Sequence, residues 1–104
     1  MPKEKARSFR SVWEALEKDP VVALNLERRS ILLMNIQERI KKEKWTQVEV
    51  ARMLETDQPR VSNLMKGKIN LFSLETLIGY LDKLGHPVKI EVGRPKKSKK
   101  LEHA

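Results

Sequence analysis

Apolar positions recur at helical spacing along most of this 104-residue chain, and polar start and stop signals divide them into short helices. Ser11 and Glu14 form the first capping box, opening a helix with Phe9, Val12, Trp13 and Leu16 on or near one face. Asp19-Pro20 opens a second by the N-cap and first-turn rule. That pattern either runs through Leu24 and Ile31 to Lys44 or breaks near Asn25–Ser30. Leu33, Ile36 and Ile40 form the stripe of its second half. Thr46 and Glu49 make another capping box, and Val50, Ala51 and Leu54 supply the buried face of a helix over 46–54. Asp57 caps a helix over 58–66, Pro59 suits its first turn, and Gly67 stops it in a left-handed conformation. Ser73 starts a last helix, with Leu74, Leu77, Ile78, Leu81 and Leu84 as its apolar face and Gly85 as its stop. After the His86-Pro87 break, Val88-Lys89-Ile90-Glu91-Val92 alternates at period two, predicting one short half-buried strand.

The pair over 46–68 is the most specific feature. Two packed amphipathic helices joined by so short a turn are a helix-turn-helix, whose second helix enters the DNA major groove. At about 100° per residue, Val61, Leu64 and Met65 point inward. Pro59, Ser62, Asn63 and Lys66 point outward, and Arg60 sits on the flank. Gln58 stands at the end that reaches base edges. Gln and Asn can bond adenine in pairs, Arg guanine, and Ser several bases. Gln58, Arg60, Ser62 and Asn63 are therefore the candidate base readers. Thr46, Gln47, Lys66 and Lys68 are the candidate phosphate contacts. The bland alternative is a solvated face on a helical hairpin, but such faces carry more Glu and Lys and fewer amides.

Thr46-Gln47, Ala51, Leu54, Gln58-Pro59-Arg60-Val61-Ser62, Leu64 and Gly67-Lys68 resemble the signature of the Xre, or phage-repressor-like, helix-turn-helix family. Phe72-Ser73-Leu74, Leu77 and Leu84-Gly85 narrow the likeness to HigA-like antitoxins and their small regulator relatives. The likeness spans residues 30–92. It implies a mainly α, lambda-repressor-like five-helix domain with a short C-terminal β-strand used in dimerisation. It also implies a second task, neutralising a small ribonuclease toxin and repressing the shared operon. One departure stands out. After Leu54 the family has Gly and an aliphatic residue, whereas this chain has Glu55 and Thr56, and a non-glycine residue in a left-handed turn costs about 1 kcal/mol.

Charge sharpens the picture at the C-terminus. The net charge is +8. Residues 1–93 hold 17 basic and 13 acidic side chains, and residues 94–104 hold 5 and 1, so half the excess lies in the tail. Gly93-Arg94-Pro95-Lys96-Lys97 looks like the core of an AT-hook, with Arg94, Lys96 and Lys97 as candidate minor-groove contacts. The plainer reading is a polybasic tail making phosphate contacts without sequence preference. Leu101-Glu102-His103, which is similar to a vector-derived scar, is set aside.

A lone strand needs a partner for its backbone groups. Val88, Ile90 and Val92 pairing with the same strand of a second copy would supply one, and would place two recognition helices roughly 34 Å apart on a palindromic operator. The alternative is pairing with an extended piece of residues 1–10. The chain then divides into an arm and short helices (1–29), the helix-turn-helix domain (30–85), the strand (86–93) and the basic tail (94–104).

Other chemistry is thin. There is no cysteine, which excludes disulfides and thiolate metal sites. His86 and His103 have no ligand or triad context, and no HExxH or phosphate loop is present. No enzyme, cofactor or metal is expected. No apolar run reaches the length of a membrane span and no signal-peptide core is present, so the expected location is cytoplasmic. Trp45, just before the Thr46 cap, reads as a hydrophobic staple. The expectation is a homodimeric DNA-binding repressor, with an antitoxin role if a toxin partner exists. A plain Xre-type regulator and a protein-interaction module on the same fold are the alternatives.

Overall fold

The computed structural model describes residues 12–96 and is mainly helical. Residues 12–16 are helical and are termed α1. Then come α2 (Pro20–Glu43), α3 (Gln47–Leu54), α4 (Gln58–Met65), a 3-10 turn (Ile69–Leu71) and α5 (Leu74–Lys83). The capping box of Ser11 with Glu14 and the place of Phe9 lie outside the described residues.

Helix α2 does not break near Asn25–Ser30. It runs unbroken for 24 residues, so the boundary drawn between residues 29 and 30 falls inside a helix. Its buried stripe is Ala23, Leu26, Ser30, Leu33, Ile36 and Ile40, a helical spacing that passes through a polar residue. Ser30 is tolerated there because its hydroxyl accepts a hydrogen bond from the Trp13 indole Nε1 at 2.9 Å, and a partnered buried hydroxyl costs little. The same bond docks α1 on α2. Asp19 caps the helix by accepting from the Val21 N–H. Lys44 closes it in the left-handed region, φ 57°.

The core lies between α2, α3, α4 and α5. Phe72, Ile36, Leu54, Leu64, Leu77, Val50 and Val61 are its most deeply buried side chains, and α5 packs along α2. Trp45 is half-buried against this cluster, as a staple over α3 requires. The Arg39 guanidinium lies over its ring, 5.5 Å from the centroid.

The C-terminal segment departs from expectation. Residues 86–96 follow α5 without regular secondary structure, and no strand occurs among the described residues. Val88 packs against the core and its N–H donates to Asp82 Oδ1 at 3.3 Å. Ile90 and Val92 remain 74% and 90% exposed. A strand is defined by its ladder, and the described residues of one copy offer Val88–Val92 no strand to pair with.

Candidate nucleic-acid interface

The two helices that carry the site are set by local capping. The Thr46 hydroxyl accepts the Glu49 N–H at 3.1 Å, and Glu49 Oε1 accepts the Thr46 N–H at 3.1 Å. The backbone N–H of Thr46, then its hydroxyl, hold the Glu49 carboxyl below the usual glutamate pKa; desolvation opposes them more weakly, and the charge of Arg52 is the smallest contribution, in the lowering direction. Asp57 Oδ1 accepts the Arg60 N–H at 2.8 Å and caps α4. Pro59 occupies the first turn, where no amide hydrogen is missed.

Between the helices the chain turns at Glu55, φ 56° and ψ 46°. The left-handed geometry is thus kept despite the absence of glycine. Thr56 N–H donates to the Ala51 carbonyl at 2.9 Å. From α5, Lys83 Nζ reaches the Leu54 carbonyl at 3.4 Å and Glu55 Oε2 at 3.1 Å. That grip on the corner offsets part of the backbone strain. At the far end of α4, Gly67 has φ 76°. Gln37 of α2 donates through Nε2 to the carbonyls of Leu64 and Met65, at 3.1 and 3.3 Å. Both carbonyls lie in the last turn of α4, where a helix runs short of intrahelical donors, and that of Leu64 also accepts the Gly67 N–H at 3.1 Å.

Val61 and Leu64 are buried, at 1% and 0% exposure, and hold α4 on the core. Gln58, Pro59 and Lys66 are exposed, while Ser62 and Asn63 are half-exposed. No acidic side chain lies within α4, so its outward face offers amides, a hydroxyl and a lysine. Thr46 is exposed at the start of α3 with its hydroxyl engaged in the cap, and Gln47 is half-exposed. Lys68 is exposed beyond Gly67.

Arg60 is placed differently from its three companions. Its Nε donates to the Tyr80 hydroxyl at 2.9 Å. Its Cζ lies 4.6 Å from the Phe72 ring centroid, and Nη2 is 3.5 Å from the Leu71 carbonyl oxygen. The guanidinium thus rests against the junction of α4, α5 and the segment after the 3-10 turn. Sequence reading missed these partners, and missed Gln37 and Lys83 as clamps. One signal was available: Tyr80 follows Leu77 on the buried face of α5, and a buried tyrosine hydroxyl calls for a polar partner.

In the tail, Arg94 and Lys96 are exposed, and Lys97 lies outside the described residues. Among the described residues, no three His, Cys, Asp or Glu side chains group as metal ligands. No helix there is long and apolar enough to cross a membrane.

The sequence profile of the Helix-turn-helix domain family matches residues 19–93, from the cap of α2 to the end of the Val88–Val92 segment. The chain belongs to this family. No curated protein matches its sequence. As a helix-turn-helix domain it is a DNA-binding protein, and the matched range includes α3 and α4. The Xre and HigA-like likenesses are finer than this match.

Proposed function

We propose that the protein is a sequence-specific transcription repressor that reads its operator with α4. One observation carries this reading: the outward face of α4 presents Gln58, Ser62, Asn63 and Lys66 with no acid among them, on a helix fixed by the core. Gln58 and Asn63 would form paired bonds to adenine edges and Ser62 a single bond. Gln47, Lys66, Lys68 and the N-terminus of α3 at Thr46 would hold phosphates and set the register. Occupancy by a dimer on a palindromic site would exclude polymerase. The exposed Ile90 and Val92 support pairing of Val88–Val92 between two copies, the ladder forming only when the second copy arrives. The basic residues Arg94, Lys96 and Lys97 would add contacts along the flanking DNA.

Selection from a randomised duplex library, followed by footprinting on the DNA upstream of the gene, tests this. The expected result is a preferred, two-fold symmetric sequence protected upstream. Binding without any preference would leave a basic interaction module instead. The antitoxin role rests on the HigA-like likeness alone. It predicts a short basic toxin-like reading frame beside this gene, whose product co-purifies with the chain.

A further inference from the structure

We propose that Arg60 is a positioning residue: it locks the amino-terminal end of α4 to α5 through Tyr80 and so sets the angle at which Gln58 and Asn63 meet the bases. This inference rests on the reading of α4 as the recognition helix and deepens it. The partners of Arg60 come from two places in the fold. Tyr80 belongs to α5, while Leu71 and Phe72 belong to the end of the 3-10 turn and the residue after it. Phe72 and Tyr80 are 1% and 8% exposed, and their rings meet edge-on at 6.2 Å between centroids. The surface that receives the guanidinium is therefore part of the core and does not follow α4 if that helix tilts. A planar cation held on its face by a ring, and along one edge by two oxygens, keeps one orientation. The edge formed by Nε and Nη2 is also an edge that would be needed for a bidentate bond to guanine.

Magnitudes show why such a lock matters. An eight-residue helix is about 12 Å long. Its carboxyl end is already tied to α2 by Gln37. A swing of about 10° around that end moves the Gln58 end by about 2 Å. Hydrogen bonds to base edges tolerate only about 0.5 Å in length. Gln37 and Arg60 thus hold opposite ends of the helix, and losing either hold would blur every base contact together.

The test uses the full chain, the duplex selected from the randomised library, and a scrambled duplex of the same composition. Tyr80→Phe removes one hydroxyl and leaves the ring and the charges in place. We expect it to lower affinity for the selected duplex about three- to tenfold and to leave affinity for the scrambled duplex unchanged. The lost discrimination should be spread over all base pairs that α4 reads when each is substituted in turn. Arg60→Ala should lose more, and the double variant no more than Arg60→Ala alone, because the two side chains act through one contact. If Tyr80→Phe binds both duplexes as the parent does, or if Arg60→Ala relaxes preference at a single base pair, the lock is refuted. Should Arg60→Ala fail to fold, Tyr80→Phe decides alone. A parent protein with no preference for any duplex refutes the DNA-reading assignment. A parent with a preference that Gln58→Ala weakens, beside a silent Tyr80→Phe, refutes only the lock.

Discussion

Single side chains on α4 divide into those that face outward and those that fix the helix. Asn63 and Gln58 belong to the first group, and neither is buried. Asn63→Ala and Gln58→Ala are expected to weaken binding to the selected duplex by about 1–3 kcal/mol each and to relax its sequence preference. Titration of labelled duplex checks this, with circular dichroism to show an intact fold. Unchanged preference in both variants would move the reading face elsewhere. Gly79 offers a contrasting test of stability alone. It lies within α5, and a Cβ added there would meet nothing within 4 Å. Gly79→Ala should therefore stabilise the fold by about 0.5–1 kcal/mol through reduced chain entropy in the unfolded state. Urea denaturation measures it, and DNA affinity should not change. The same substitution at Gly67, where φ is 76°, should destabilise, since an alanine there meets the left-handed penalty.

At the scale of elements, the corner between α3 and α4 shows a local cost met by a distant contact. Glu55 takes a left-handed conformation that costs a non-glycine residue about 1 kcal/mol. Its ion pair with Lys83 is largely exposed, at 78% for the Glu55 side chain, and such pairs return less than about 1 kcal/mol. Glu55→Gly is thus expected to raise stability by up to about 1 kcal/mol, read as a higher midpoint in urea. A lower midpoint would show that the Lys83 grip outweighs the strain. The start of α3 carries a pH dependence. Because Glu49 is held below its usual pKa by the Thr46 N–H and hydroxyl, its contribution is fully present above the usual glutamate range. It is lost as pH falls through the depressed value. The protection factors of the amides at the α3 N-terminus, exchange rates corrected for the intrinsic pH dependence, should fall over that acidic window, and Glu49→Gln should remove the dependence.

At the scale of the whole molecule, the C-terminal quarter carries the open questions of assembly and electrostatics. Ile90→Pro would remove a backbone donor in the middle of Val88–Val92. If two copies pair through that segment, the variant should sediment as a monomer where the parent is a dimer, and lose cooperative operator binding while keeping its helix content. A parent that is monomeric at tens of micromolar, or a variant that stays dimeric, would place the interface elsewhere. The exposed Val12, Leu16 and Val21 of the amino-terminal region are the next surface to examine. Deleting residues 94–104 removes five basic side chains and one acidic one. It should lower affinity for all duplexes and flatten the dependence of log affinity on log salt. A loss confined to A·T-rich flanks would assign the tail to the minor groove.

What the sequence by itself determined is what local physics controls. Thr46 with Glu49, Asp57 with Pro59, Ser73, Gly67 and Gly85 marked helix ends correctly, because a cap bonds within three or four residues of itself. The buried face of α3 followed from period alone, as did Val61 and Leu64 of α4 and Leu77, Leu81 and Leu84 of α5, whereas Leu74 and Ile78 are only half-buried and Tyr80, left out of that face, is buried. Tertiary structure decided the rest. The burial of Ser30 on the inner stripe of the unbroken α2 is matched by a partner that lies outside local sequence, Trp13, seventeen residues away. The direction of Arg60 turned on Tyr80, twenty residues on, and the anchoring of α4 on Gln37, twenty-seven residues before Leu64. Period assigns a residue to a face or a flank but does not say what stands opposite. For Val88–Val92 the alternation was real, yet a strand exists only as one side of a ladder. No strand lies among the described residues of a single copy.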